Sequence, residues 1–206
     1  MKKYYGQEGG KGEIDKILHE IIFPGKTDGF FIECGAYDGV DISTCKFFEE
    51  IGWKGINIEP SPDIFKKLEK NRPNSINLNL ALSDSCEIKR FVYTNEAAAA
   101  CGSLIKATDI FVQVCSATNS KILETTVETT TYAKIIEKFN CDVDLFVLDV
   151  EGHEMEVING MIDCSMPKVI CAEFGHVGLE NLSNKFKNFE YSLIWKDDIN
   201  AIYALI

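Results

Sequence analysis

The chain has 206 residues, 46% of them hydrophobic and 26% charged, with a formal net charge of −11. That length supports one full core and is short for two domains, and the acidic balance excludes a surface built to track phosphates, which needs a basic patch. No apolar run approaches the roughly 18 residues of a membrane span, and Lys2 and Lys3 are not followed by an apolar signal core, so the expectation is one cytoplasmic domain over 1–206 with no nucleic-acid partner.

In chain order, Tyr4 to Gly10 is a glycine-rich, polar lead-in. Ile14, Ile17, Leu18, Ile21 and Ile22 then recur at helical spacing within 12–23, with His19 off the stripe and read as a solvated surface residue. Pro24-Gly25 stops that helix. Residues 29–36 carry Phe30-Phe31-Ile32, the apolar run of a strand covered on both faces. Gly35 and Gly39 mark a turn, Ile42, Cys45, Phe48 and Ile51 a helix, and 53–60 a second buried strand that ends on Glu59. Ser61-Pro62-Asp63 opens the next helix, a hydroxyl cap followed by proline at the first helical position.

A third strand is read over 75–82 and a further one over 87–94, with 125–130 as its pairing partner. Between these two lies 95–121, too long for a simple connector and read as a lid or substrate loop. Tyr132, Ile135, Ile136 and Phe139 mark a helix, 145–150 a fourth core strand, and Met155, Val157 and Ile158 a helix stopped by Gly160. A fifth core strand over 169–174 is followed by a helix bearing Leu179, Leu182, Phe186 and Phe189. Residues 191–195 and 201–206 close the chain as a β-hairpin. The eight cysteines show no CxxC and no Cys/His cluster, so they are read as free thiols and not as a metal or disulfide framework.

Alternating strands and helices with a terminal hairpin predict an α/β, doubly wound, mostly parallel sheet. Such sheets bind ligands at the carboxyl ends of their strands. Glu33, Glu59, Asp84, Asp149, Glu151 and Glu173 all fall at or near those ends. An acid at the tip of the second strand, Glu59, is placed to grip a ribose diol. Glu33 occupies the first glycine position of a GxGxxG pattern, where an acid repels a pyrophosphate and suits a cationic, phosphate-free adenosine.

ECGAYDG, GWKGINIEP, LALSD and LFVLDVEGHEMEVING, in this order, resemble the FkbM-type family of S-adenosylmethionine-dependent methyltransferases. The resemblance runs from Tyr4 to the C-terminus and is densest over 29–84 and 144–160. It implies a Rossmann-like class I methyltransferase sheet of seven strands with the last one antiparallel. It also implies S-adenosyl-L-methionine as cofactor and, as acceptor, a hydroxyl on a sugar, glycan or natural product. Carried over, Glu33, Gly35 and Gly39 shape the loop around the methionine portion, with Ala36, Asp38 and Ser43 in the same stretch. Glu59, beside Pro60, takes the ribose hydroxyls, and Ser83 and Asp84 border the adenine. Tyr5-Gly6-Gln7 precedes the first helix and closes over the cofactor, which puts Gln7 among its contacts.

Deprotonating a hydroxyl calls for a placed base or a metal. Asp149 and Glu151 lie at the tip of the fourth strand and His153 has base chemistry near neutral pH, so these three are the catalytic candidates, with His176 a second possible base. No metal is required by the pattern; Asp149 and Glu173 are the pair that would hold one. Two rival readings stay open at this level, a nicotinamide-dependent oxidoreductase and a member that binds cofactor or glycan without turnover.

Overall fold

The computed structural model describes residues 4–94, 102–104 and 109–205. A small hairpin, β1 (Glu8–Gly9) and β2 (Gly12–Glu13), leads into α1 (Ile14–Ile17), which continues as a π-helical turn over Leu18–Ile22. There follow β3 (Phe30–Cys34), α2 (Lys46–Glu50), β4 (Lys54–Ile58), α3 (Pro62–Asn71) and β5 (Ile76–Leu78). The chain then turns through β6 (Ala81–Leu82), β7 (Ile88–Tyr93), α4 (Asp109–Thr118) and β8 (Leu123–Thr130). It ends with α5 (Tyr132–Phe139), β9 (Leu145–Leu148), α6 (Glu154–Asn159), β10 (Val169–Glu173), α7 (Leu179–Lys187), β11 (Tyr191–Lys196) and β12 (Asn200–Leu205).

Seven strands form one sheet in the order β11-β12-β10-β9-β3-β4-β5. Neighbours from β10 to β5 are parallel, and the terminal hairpin adds the antiparallel β12. Strand order runs outward from β3 in both directions, so the chain reverses between β3 and β9. That reversal opens a crevice at the carboxyl ends of these two strands, where sheets of this type bind their ligands.

Side chains alternate between the two faces of the sheet with the strand period of two. Phe31, Leu145 and Val147 pack with Ile14, Leu18, Phe48 and Trp53 on one face. Ile32, Phe146 and Leu148 pack with Tyr132, Ile158, Leu182 and Phe186 on the other. Each of these fully buried side chains contributes roughly 1.5–3 kcal/mol relative to exposure, and burial on both faces is what makes β3 and β9 read as continuous apolar runs.

Several boundaries differ from the sequence reading. The strand expected over 75–82 is two strands, because Asn79 turns the chain by donating from its side-chain amide to the carbonyl oxygens of Glu59 (2.9 Å) and Pro60 (3.1 Å). β5 stays in the main sheet, whereas β6 joins β8 and β7 in a separate three-stranded sheet. The expected pairing of the strand within 87–94 with 125–130 is present, antiparallel from Ile88↔Glu128 to Tyr93↔Leu123. The stretch read as a lid or substrate loop, 95–121, includes the helix α4; 95–101 and 105–108 lie outside the described residues.

Ile42 is not part of the helix it seemed to start. It adopts a left-handed φ of 56° and bridges to Gly6. The expected helix over 12–23 begins only at Ile14, because Gly12–Glu13 pairs with Glu8–Gly9. His19 is half-buried and not solvated: Tyr4 Oη lies 3.0 Å from its Nδ1 and the Phe47 ring centroid 4.7 Å from its own. No disulfide joins the described cysteines, and no described helix is long and apolar enough to cross a membrane.

Candidate functional site

The register of the sheet places Cys34, Leu148 and Ala172 side by side on β3, β9 and β10. The next residue on each strand is therefore Gly35, Asp149 and Glu173, a row across the mouth of the crevice. Gly35 has φ +86°, and a Cβ there would lie 1.8 Å from the carbonyl oxygen of Asp149, so only glycine fits. Its N–H and that of Ala36 donate to Ile58 O at 3.1 and 3.0 Å, which folds the turn across the end of β4.

Glu59 follows β4, and its carboxylate is held in place by two backbone donors. Tyr37 N lies 3.0 Å from Oε2 and Ser61 N lies 2.7 Å from Oε1. Burial pushes its pKa up to about 8 against the pull of those two bonds. The carboxylate is 7% exposed and borders the cavity. Beside it, Ile58, Pro60, Leu82, Phe91 and Leu104 give the cavity an apolar side.

The opposite side, under β9 and β10, is acidic. Asp149 and Glu173 are hydrogen-bonded to each other, and burial together with the neighbouring Glu173 charge holds Asp149 well above the usual carboxylate range. Burial brings Glu173 to about 7. Glu151 sits at φ +54° in the turn before α6, hydrogen-bonded at 2.8 Å to His176 Nε2. Burial, then the Asp149 charge, brings Glu151 to about 7 as well.

Glu154 braces this turn from behind. Its Oε1 accepts from Val150 N and Gly152 N, both at 3.2 Å, while its Oε2 is buried without a hydrogen-bond partner. His153 is 5% exposed, with Nε2 3.0 Å from Ser83 Oγ, and burial lowers its pKa. Among the described residues, no lysine or arginine lines the cavity.

The sequence matches the Methyltransferase FkbM domain over residues 33–192. The chain belongs to the FkbM methyltransferase family. S-Adenosylmethionine is accordingly its methyl donor. No curated protein matches it in sequence. Among solved structures it is similar to the ribosomal protein L11 methylase of Lactobacillus delbrueckii subsp. bulgaricus, with a TM-score of 0.53 at 8% identity over 94% of this chain and 77% of that one. It is also similar to the fibrillarin pre-rRNA processing protein of Methanococcus jannaschii, at 0.53 and 12% over 98% and 76%. A third is the C-terminal domain of precorrin-6Y C5,15-methyltransferase from Rhodobacter capsulatus, at 0.51 and 10% over 99% and 98%. At such identities the likeness is one of fold alone.

The cavity of the methyltransferase suits its cofactor chemically. An apolar slot beside a fixed carboxylate matches an adenosine, and an acidic, cation-free wall matches a ligand with a sulfonium and an ammonium. Of the residues expected at the site, Gln7, Gly35, Glu59, Pro60, Asp149, Glu151, His153 and Glu173 border this cavity.

Glu33, Ala36, Asp38, Gly39, Ser43, Ser83 and Asp84 do not border it. Glu33 shares the sheet face of Phe31, where Ser43 Oγ (2.9 and 3.0 Å) and Cys45 N (3.0 Å) donate to its carboxylate and Arg72 stands 3.5 Å away. Its charge is thus balanced by the protein and is not presented to a ligand. Ala36 is buried in the turn. Asp38 accepts from Val40 N and Asp41 N of its own turn, and Gly39 packs against Arg72 and Leu68. Ser83 lies behind His153, and Asp84 is exposed beside Lys89.

The cavity also contains residues the sequence reading did not select, among them Tyr37, Ile42, Phe91 and Leu104. Ile42 was visible only as an apolar residue at helical spacing, and Phe91 only as part of a strand. Neither carries a signal of its own that separates a ligand wall from core.

Proposed function

We propose that this methyltransferase transfers its methyl group to a hydroxyl of a sugar, glycan or small natural product. The observation that supports this best is the acidic wall of Asp149, Glu151 and Glu173, whose oxygens accept hydrogen bonds and whose partial negative charge disfavours anions. A polyhydroxylated, uncharged acceptor meets such a wall with donors; a phosphorylated or carboxylated one meets it with like charge. The cofactor supplies an activated methyl carbon, so the chain has to align the acceptor with it and keep the two close.

In this reading the apolar slot and Glu59 hold the adenosine, and the Gly35 turn lets the backbone approach the rest of the donor. Gln7 closes over it from the N-terminal segment. Asp149, Glu151 and His153 are the residues that face the reacting oxygen. The hydroxyl donates its one proton in a hydrogen bond to Glu151, which turns an oxygen lone pair toward the methyl carbon. Glu151 takes that proton as the C–O bond forms and the C–S bond of the donor breaks, with Asp149 beside it on the same wall. His153, its ring fixed by Ser83, sets the edge of the acceptor space. A nicotinamide cofactor suits the site poorly, because a pyrophosphate finds no cationic side chain along the described wall.

The test is transfer of isotopically labelled methyl to a panel of methyl glycosides that includes uronic acids and amino sugars, followed by treatment of the product with mild base. Label that stays on the sugar as a base-stable ether supports the reading. Label released by base, which marks an ester, or found only on an amine contradicts it, and so does the absence of transfer to any member.

A further inference from the structure

The acidic end of the cavity gathers three side chains of a kind that ligates metal ions. One carboxylate oxygen of Glu151, one of Glu173 and a ring nitrogen of His176 all lie within 4.8 Å of one another. Glu151 and Glu173 border the cavity, and His176 stands on the turn between β10 and α7. All three are half-buried, so the group is neither a loose surface cluster nor sealed in the core. The 2.8 Å between His176 Nε2 and Glu151 Oε2 is also about the separation of two atoms sharing one ion at 2.0–2.2 Å each. Asp149, paired with Glu173 in the sequence reading, stands outside this group.

Two further features point to a ligand at this place. Glu154 is 1% exposed, and its Oε2 is buried with no donor. Its charge acts on Glu151, Glu173 and Asp149, and it interacts with His176. A buried carboxylate oxygen without a partner is costly, and a cation held by the groups it interacts with would offset that cost. The ligating groups also have the outer partners that metal sites use to orient their ligands. Asp149 is hydrogen-bonded to Glu173, and Glu154 grips the two backbone N–H groups on either side of Glu151.

We propose that Glu151, Glu173 and His176 form a divalent-cation site at the end of the cavity, with coordination positions open toward the acceptor. Two carboxylate oxygens and one imidazole suit Mn²⁺ or Mg²⁺ better than an ion that seeks thiolates. The open positions take two neighbouring hydroxyl oxygens of the acceptor, which fixes its orientation and selects for a vicinal diol. That last part rests on the hydroxyl reading above; the cation site itself does not.

The test uses metal-stripped full-length protein titrated with Mn²⁺ alone, followed by the paramagnetic resonance signal of the free ion. S-Adenosylhomocysteine binding is measured on the same samples. The expected result is one Mn²⁺ per chain, weakened at least about tenfold by Glu173→Gln and by His176→Gln, with S-adenosylhomocysteine still bound by His176→Gln as proof of folding. Absence of Mn²⁺ binding, or binding by both variants as tight as by the wild-type protein, overturns the site. Failure of the wild-type protein to bind S-adenosylhomocysteine while it binds Mn²⁺ leaves the cation site supported and overturns the cofactor reading, so the two fail separately.

Discussion

Gly35 and Asp149 stand opposite one another where the sheet reverses, so close that a single added methyl on Gly35 would lie 1.8 Å from the Asp149 carbonyl oxygen. The contact follows from register: Cys34 and Leu148 are paired, and the two strands end together. The narrow gap keeps the backbone turn and the acid wall in one place.

Gly35→Ala is therefore expected to be severe. It adds a backbone clash to a left-handed φ, a combination of strain worth upwards of about 2 kcal/mol. Thermal unfolding should show the loss, and calorimetry should show weakened S-adenosylhomocysteine binding. A variant with the wild-type melting temperature and affinity would mean that the turn is looser than described.

Glu33 and Arg72 give a second prediction, because they separate fold from cofactor binding. Arg72 is 0% exposed and lies between Glu33 and Glu49, over the Phe31 ring. Arg72→Met leaves a buried carboxylate uncompensated, at a cost of about 3–5 kcal/mol. Glu33→Gln should also lower stability, yet leave S-adenosylhomocysteine affinity unchanged, since the side chain does not reach the cavity. Denaturant titration and calorimetry on the two variants check this, and a selective loss of affinity in Glu33→Gln would contradict it.

Asp15 predicts a pH dependence of stability. It is 0% exposed, and its carboxylate accepts from Tyr5 N at 2.7 Å and Lys16 N at 3.0 Å. Burial raises its pKa from 3.8 to about 6 despite those bonds. The folded chain thus keeps this proton to higher pH than the unfolded chain does. The stability it contributes is fully present below about pH 4 and is lost as pH rises through about 6, by at most about 3 kcal/mol. Asp15→Asn, which cannot ionise, should gain on the wild-type protein over that window in denaturant unfolding; a constant difference between the two would refute the assignment.

Much of the architecture was legible in the sequence, because strands buried on both faces and amphipathic helices leave distinct patterns. Phe30-Phe31-Ile32 and Leu145 to Leu148 marked the central strands, and Glu59 was recognisable at a strand tip. Glu33 was misplaced for a physical reason. One-residue alternation sends Glu33 and Cys34 to opposite faces, and what neutralises Glu33 is Arg72, 39 positions away, a contact that no local pattern encodes. The break between β5 and β6 depends likewise on the Asn79 side chain reaching back to Glu59 and Pro60. His176 was noticed as a base, but its neighbourhood with Glu151 and Glu173 depends on how the turn after β10 folds back toward the turn before α6.

In the proposed reading the crevice between β3 and β9 binds the adenosine of S-adenosylmethionine through the Glu59 carboxyl group. Calorimetric titration of wild-type and Glu59→Ala protein with S-adenosylhomocysteine, with NAD as control, tests it most directly. The wild-type protein should bind S-adenosylhomocysteine and not NAD, and Glu59→Ala should bind about 10–100-fold more weakly, the cost of losing the two hydrogen bonds to the ribose diol. Equal affinity in the two proteins would contradict the account.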